Sequence, residues 1–222
     1  MKGILLASLL CLPAVSYAQA GVGGAAARDS FYSAREYTAL YGAKIFSYSM
    51  MSAHFQLYQG YVKNLNLLIQ RMKEMEASGS AGTSEYAGLK RRFGWEFNGM
   101  RLHELYFGEL GAAPLPEGSA LRAALAAQYG SFDAWSGSFL ALAGMRGSGW
   151  AALVRDRQTG RLFNVWLEDH DSGLPAGCDV LLVMDLFEHA YTTDFQLDKA
   201  RYAQAFMAAV NWLEVDKRYS AK

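Results

Sequence analysis

The sequence predicts an α+β chain: a helical first half, then a second half that mixes a three-stranded sheet with helices. Three observations carry this. Residues 49–77 repeat apolar side chains at three- and four-residue spacing, with Leu57, Tyr61, Leu65 and Leu68 on one stripe, which is the period of a helix. Residues 89–110 continue the helical character after a SGSAGTS break. Residues 149–185 instead hold short apolar or alternating runs, GWAALVRD, RLFNVWLED and DVLLVMD, split by turns such as RQTG, which is the signature of strands.

The elements follow in order. Residues 1–18 have the layout of a secretory signal peptide: Lys2 as a basic start, an apolar run from Ile4 to Leu12 too short to span a bilayer, and Ser16 and Ala18 as a small-x-small cleavage site. Export, to a periplasm or outside the cell, is the expectation. Cys11 leaves with that segment, so the mature chain keeps Cys178 alone and forms no internal disulfide. Residues 19–38, opening with the glycine-rich AGVGGAAARDS, read as a flexible leader. The first helix spans 49–77. The second spans 89–110, with an interruption expected near Asn98 and Gly99. GAAPLPEGS marks the main boundary. SALRAALAAQYG and SFDAWSGSFLALAGM are two helices, each opening on a serine cap. After the strand runs, residues 198–219 are helical again.

Charge excludes some partners. Lys+Arg and Asp+Glu balance at 21 each, so neither nucleic acid nor an anionic membrane surface is an expected partner.

The chemistry concentrates in five residues. The chain has four histidines, His54, His103, His170 and His189, and the apolar run VLLVMD ends on Asp185, four residues before His189. That ending is either a strand closing in a polar turn or two ligands of one metal ion. Imidazole nitrogens with one carboxylate suit iron, manganese or zinc, and the cysteine count excludes a thiolate site.

At this point the sequence resembles the iron/manganese superoxide dismutases over roughly residues 45–219. DLFEHAY is similar to the family's D-x-W-E-H-A-Y, GSGWAALV to G-S-G-W-x-W-L, and YGSFDAW to F-G-S-F-D-x-F. YVKNLN matches the end of its first helix, RLHELYFGEL its second-helix ligand segment, and VNWLEVDKRY its closing V-N-W-x-x-V-x-x-R-Y. The resemblance implies a helical hairpin domain over residues 39–112 and a C-terminal α/β domain over 117–222 with a small three-stranded antiparallel sheet. It also implies one iron or manganese ion per subunit between them, superoxide as substrate, and a homodimer. The alternative is an exported metal-binding homologue with little dismutase activity.

Carried over residue by residue, the resemblance makes His103, Asp185 and His189 metal ligands. The first ligand is ambiguous. The family's ligand precedes the helix tyrosine by eight residues, and His54 precedes Tyr61 by seven. Counting back from YVKNLN selects Ala53; counting forward from Ser47 selects His54, with one residue deleted between 54 and 61. At about 100° per residue, seven steps leave His54 and Tyr61 about 20° apart on one helix face. A regular helix here, where relatives hold a bulge, makes His54 the expectation. His170 falls where manganese enzymes carry a glutamine beside the bound water, and Gly99 where iron enzymes often supply one. His170 and Tyr61 are therefore expected to flank the metal without ligating it. Glu188 is expected at the dimer interface. No catalytic residue beyond the metal site is assigned. Several outer groups differ from the family: Leu57 or Tyr58 replaces the gateway histidine, Thr192 the second tyrosine of H-A-Y-Y, and Phe187, Ala152 and Phe107 three tryptophans. The resemblance therefore implies weakened proton supply around a ligand set that is mostly retained.

Overall fold

Two long antiparallel helices and a small sheet wall the space in which the polar cluster lies. The computed structural model describes residues 31–221; the expected signal peptide and the leader up to residue 30 lie outside the described residues. Residues 31–38 run along the hairpin. Tyr32 exchanges two hydrogen bonds with the Asn66 side chain, and the Arg35 backbone N–H donates to the Tyr58 hydroxyl at 2.9 Å. A short helix α1, Ala39–Gly42, follows.

Helix α2, Tyr48–Ala77, opens where the Ser47 side chain accepts the Met50 N–H, satisfying one of the orphan donors of a helix start. It is α-helical from end to end, so the expected regular helix between His54 and Tyr61 is present. Its buried residues, among them Met51, His54, Tyr58, Leu65, Leu68 and Met72, recur at helical spacing and face α3, Ser84–Gly108. Helix α3 runs unbroken through Asn98 and Gly99, which corrects the interruption expected there. A mid-helix glycine costs about 1 kcal/mol against alanine. Burial of Met100, Leu102, Tyr106 and Phe107 just beyond it outweighs that at about 1.5–3 kcal/mol per large apolar side chain.

Helices α4, Ala120–Tyr129, and α5, Phe132–Ala143, start on the expected serine caps: Ser119 accepts from Arg122 N–H and Ser131 from Ala134 N–H. Strands β1, Trp150–Asp156, β2, Leu162–Leu167, and β3, Cys178–Asp185, form one antiparallel sheet in the order β2-β1-β3. Central β1 is buried over its first five residues, as a strand covered on both faces must be. The first residue of β1 pairs with the last of β3, Trp150 with Asp185. Gly149 makes this junction possible: at φ +144° a side chain there would clash with the Leu167 carbonyl, and the Gly149 carbonyl accepts the Leu186 N–H at 2.9 Å.

Beyond β3, a single 3-10 turn, Glu188–Ala190, leads into α6, Thr192–Phe195. The closing helical run is two helices, α7, Lys199–Ala209, and α8, Trp212–Ser220. It breaks at Val210–Asn211 because the backbone there is taken up elsewhere: Asn211 N–H donates to Glu109 O and Trp212 N–H to Ala113 O. Buried Glu109 clamps the centre of the fold, accepting from Val183 N–H at 2.9 Å and pairing with Arg218. Among the described residues no helix is long and apolar enough to cross a membrane.

Candidate metal centre

Four side chains from four segments meet between the hairpin and the sheet. His54 comes from the first half of α2, His103 from the last turns of α3, Asp185 from the end of β3 and His189 from the 3-10 turn. Each offers one ligating atom, and those atoms all lie within 4.8 Å of one another. Asp185 Oδ2 is the common neighbour, at 3.2 Å from His54 Nε2, 3.0 Å from His189 Nε2 and 3.5 Å from His103 Nε2. Asp185 Oδ1 accepts the Phe187 N–H at 2.9 Å. That Asx-type turn stops β3 and swings His189 back toward the carboxylate.

The choice between Ala53 and His54 is resolved by geometry. His54 is fully buried in the cluster, and Ala53 is exposed.

Electrostatics and tautomers fit a cation in the middle. The Gly99 carbonyl is only an acceptor, so His103, 2.5 Å away at Nδ1, must carry its proton there. His103 Nε2 is then a bare lone pair. It is buried, has no hydrogen-bond partner among the described residues, and faces a carboxylate oxygen. Two acceptors opposed in a buried space are unfavourable unless a cation lies between them. Burial pushes the pKa of His54 down and that of His103 well down, so both rings are neutral, the form that ligates a metal. Burial opposes ionisation of Asp185, but His189 and His54 override it and hold the carboxyl far below its usual range. Burial also disfavours charge on His189, which Asp185 reverses, raising its pKa.

His170 and Tyr61 lie beside this group. Trp150 Nε1–H, which can only donate, reaches His170 Nδ1 at 3.0 Å. The neutral His170 ring therefore carries its proton on Nε2 and donates to the Tyr61 hydroxyl, 2.6 Å away. Asn98 Nδ2 donates to the His170 carbonyl at 2.8 Å, fixing the loop. Gly99 has a physical reason here: a Cβ would lie 2.5 Å from the Tyr61 ring, so only glycine admits the tyrosine above His103.

The expected replacements for the gateway histidine separate. Tyr58 is buried and its hydroxyl donates to Glu104 at 3.1 Å, away from the cluster; Leu57 is half-buried. Phe107 packs edge-on to His54, with ring centroids 4.9 Å apart. Glu188 is exposed, and Ser148 Oγ donates to its carboxylate at 3.0 Å. The sequence reading missed Glu104, which receives Tyr58, Arg101 and Arg35. Its only signal was a charged residue next to a buried histidine. It also missed Trp150 as the group that fixes the His170 tautomer, although GSGW was noticed.

A candidate mononuclear metal site of three imidazoles and one carboxylate, held between a helical hairpin and a three-stranded antiparallel sheet, defines the class of protein. The family model for the C-terminal domain of iron/manganese superoxide dismutases matches residues 116–218. The chain is 34% identical over 178 residues to an Fe superoxide dismutase of Cupriavidus metallidurans, covering 79% of this chain and 89% of that one. It is 35% identical over 168 residues to Mn superoxide dismutase 2 of Haloferax volcanii, covering 75% and 82%. An Fe superoxide dismutase of Saccharolobus solfataricus is 33% identical over 170 residues, covering 72% and 79%. The chain belongs to the iron/manganese superoxide dismutase family.

Proposed function

We propose that the protein is a superoxide dismutase that holds one iron or manganese ion on His54, His103, Asp185 and His189. The carrying observation is His103 Nε2, a buried lone pair that has no hydrogen-bond partner among the described residues and faces the Asp185 carboxylate. Three neutral imidazoles and one carboxylate carry a single negative charge, which suits a metal that alternates between trivalent and divalent states. Bound there, it supplies one-electron chemistry that oxidises one superoxide to oxygen and reduces a second, with two protons, to hydrogen peroxide. The three relatives named above bear dismutase names, which weighs against a metal-binding homologue without activity.

The chain's own groups handle protons and access. Tyr61 keeps its proton at neutral pH: burial first, then the Asp185 charge, pushes its pKa up to about 12. Because His170 Nε2–H occupies one lone pair of the Tyr61 hydroxyl, the tyrosine's own O–H is free to point at the centre as a donor. Burial pushes the His170 pKa down, so the ring stays neutral and the donor direction holds.

Two finer readings complete the proposal. The protein acts as a homodimer through the face that carries Glu188, supported by an exposed Glu188 adjoining His189, whose side chain is 29% exposed. It is exported, supported by the basic start, apolar run and small-x-small site of residues 1–18. Metal content and superoxide turnover on one purified sample test the main reading. Near one iron or manganese per chain with turnover is expected; a metal-loaded sample without turnover overturns it. Sedimentation of the purified protein tests the dimer, and cell fractionation with N-terminal sequencing tests export.

A further inference from the structure

We propose that Arg92 is the cation that draws the superoxide anion toward the Tyr61 side of the centre, and that Glu96 and Trp95 hold it in position. The inference rests on the dismutase reading above and adds two positioning residues and one capture residue to it.

A small anion must be drawn to a buried centre by a chain whose charges balance at 21 each. Such a chain has little long-range field, and salt screens exposed charges beyond about 10 Å at 0.1 M. Charges close to the entrance therefore decide capture. Arg92 lies on α3 with 54% of its side chain exposed, and its Nε–H donates to Glu96 Oε1 at 2.7 Å. Its guanidinium carbon stands 5.0 Å from the centroid of the Trp95 ring. That ring lies 4.8 Å from the His170 ring, and His170 bonds Tyr61. Arg92 is thus one aromatic ring out from the polar pair beside the metal centre. Stacking on an indole and a charge-assisted hydrogen bond fix a side chain that otherwise samples many rotamers.

The surrounding charges make this cation matter. Glu96 lies three and seven residues before Gly99 and His103, on the same face of α3. Its side chain is 4% exposed, and Oε2 has no hydrogen-bond partner among the described residues. Beyond burial and Asp185, the charges felt at the Tyr61 hydroxyl are Glu96, which raises its pKa, and Arg92, which lowers it. Asp169 and Asp171 act on His170. Three carboxylates thus repel an incoming anion on this side, and Arg92 offsets them. Lys199, on the other side, is engaged with the carbonyls of Met145 and Gly147.

The test compares wild type, Arg92→Gln, Arg92→Lys and Glu96→Gln, all fully metal-loaded, over a range of ionic strength. Two quantities are read: kcat/KM for superoxide, and azide affinity by absorbance titration. Rim charges act mainly on association and its salt dependence. Arg92→Gln is expected to lower kcat/KM about three- to tenfold at low salt and to flatten the salt dependence. Glu96→Gln, whose amide oxygen can still accept the Arg92 Nε–H while the repelling charge is gone, is expected to raise it about two- to threefold, and Arg92→Lys to fall between wild type and Arg92→Gln. Azide affinity should move in the same order. A wild-type rate and salt slope in Arg92→Gln overturns the proposal. So does an equal loss in Arg92→Gln and Glu96→Gln at every salt concentration, which marks a packing role. If wild type turns over no superoxide, the dismutase reading fails, and the azide series still decides whether Arg92 draws anions.

Discussion

The two sides of the metal centre are built differently. On the Tyr61 side, side chains are joined in a hydrogen-bonded series: Trp150 donates to His170, His170 to Tyr61, and the Gly99 carbonyl accepts from His103. On the His189 side the ligand is 29% exposed, Glu188 is at the surface, and Thr192 turns its hydroxyl to the Glu188 carbonyl at 2.8 Å. The first side is a hydrogen-bonded network that sets where a proton sits. The second is open and lacks the tyrosine that the family places there. Three of the four candidate ligands are fixed by α2, α3 and β3, whereas His189 stands on the 3-10 turn of the more exposed side, so ligand geometry and proton supply draw on largely different segments.

The largest effect separates ligands from surroundings. Asp185→Ala should reduce bound metal to a small fraction and abolish turnover, because it deletes the only anionic ligand and leaves three imidazoles around a cation. Elemental analysis checks this, and undiminished metal would break the distinction. By contrast Ala53→His, which adds an imidazole on the exposed face of α2, should change neither metal content nor rate.

Next comes the frame shared by both sides. Glu109→Ala leaves Arg218, only 14% exposed, without its carboxylate and frees the Val183 N–H. Breaking a buried pair typically costs about 3–5 kcal/mol, measurable by denaturant unfolding of the metal-free protein. A loss under about 1 kcal/mol would mean that the pair behaves as a surface one.

Much of the centre was legible before the fold was known, for local reasons. Asp185 and His189 stand four residues apart at the end of an apolar run, and His103 sits in a helical stretch. His54 was legible only to within one residue, because helical phase alone does not fix a register across a deletion. Other features depend on contacts between distant segments. The Tyr58–Glu104 bond joins residues 46 apart, and nothing local pairs them. Gly99 looked like a helix breaker, yet its role is to admit the ring of Tyr61. The break at Val210–Asn211 comes from backbone bonds to Glu109 and Ala113, about a hundred residues away. Arg92, Trp95 and Glu96 gave no signal, since a charged pair four apart on a helix is ordinary surface sequence.

The smaller effects sharpen the contrast between the sides. Gly99→Ala should push Tyr61 off its seat, at an overpacking cost of about 1–3 kcal/mol, and slow turnover while metal content holds. Rate loss together with metal loss would show that the Tyr61 side also holds the ligands. On the open side, Thr192→Tyr with Leu57→His should raise the rate, because a positioned proton donor commonly contributes about 10²-fold or more. Tyr58 is excluded as the second position because its hydroxyl is committed to Glu104 and to the Arg35 N–H. Pulse radiolysis checks the pair. A wild-type rate already near about 10⁸ to 10⁹ M⁻¹s⁻¹ would show that another route supplies the protons.

The most direct test of the central claim is anomalous diffraction from the metal-loaded protein at the iron or manganese edge. The expected result is one peak per chain, with His54, His103, Asp185 and His189 each placing an atom about 2.0–2.2 Å away. A peak elsewhere, or one at this place with His54 turned away from it, would contradict the four-ligand centre.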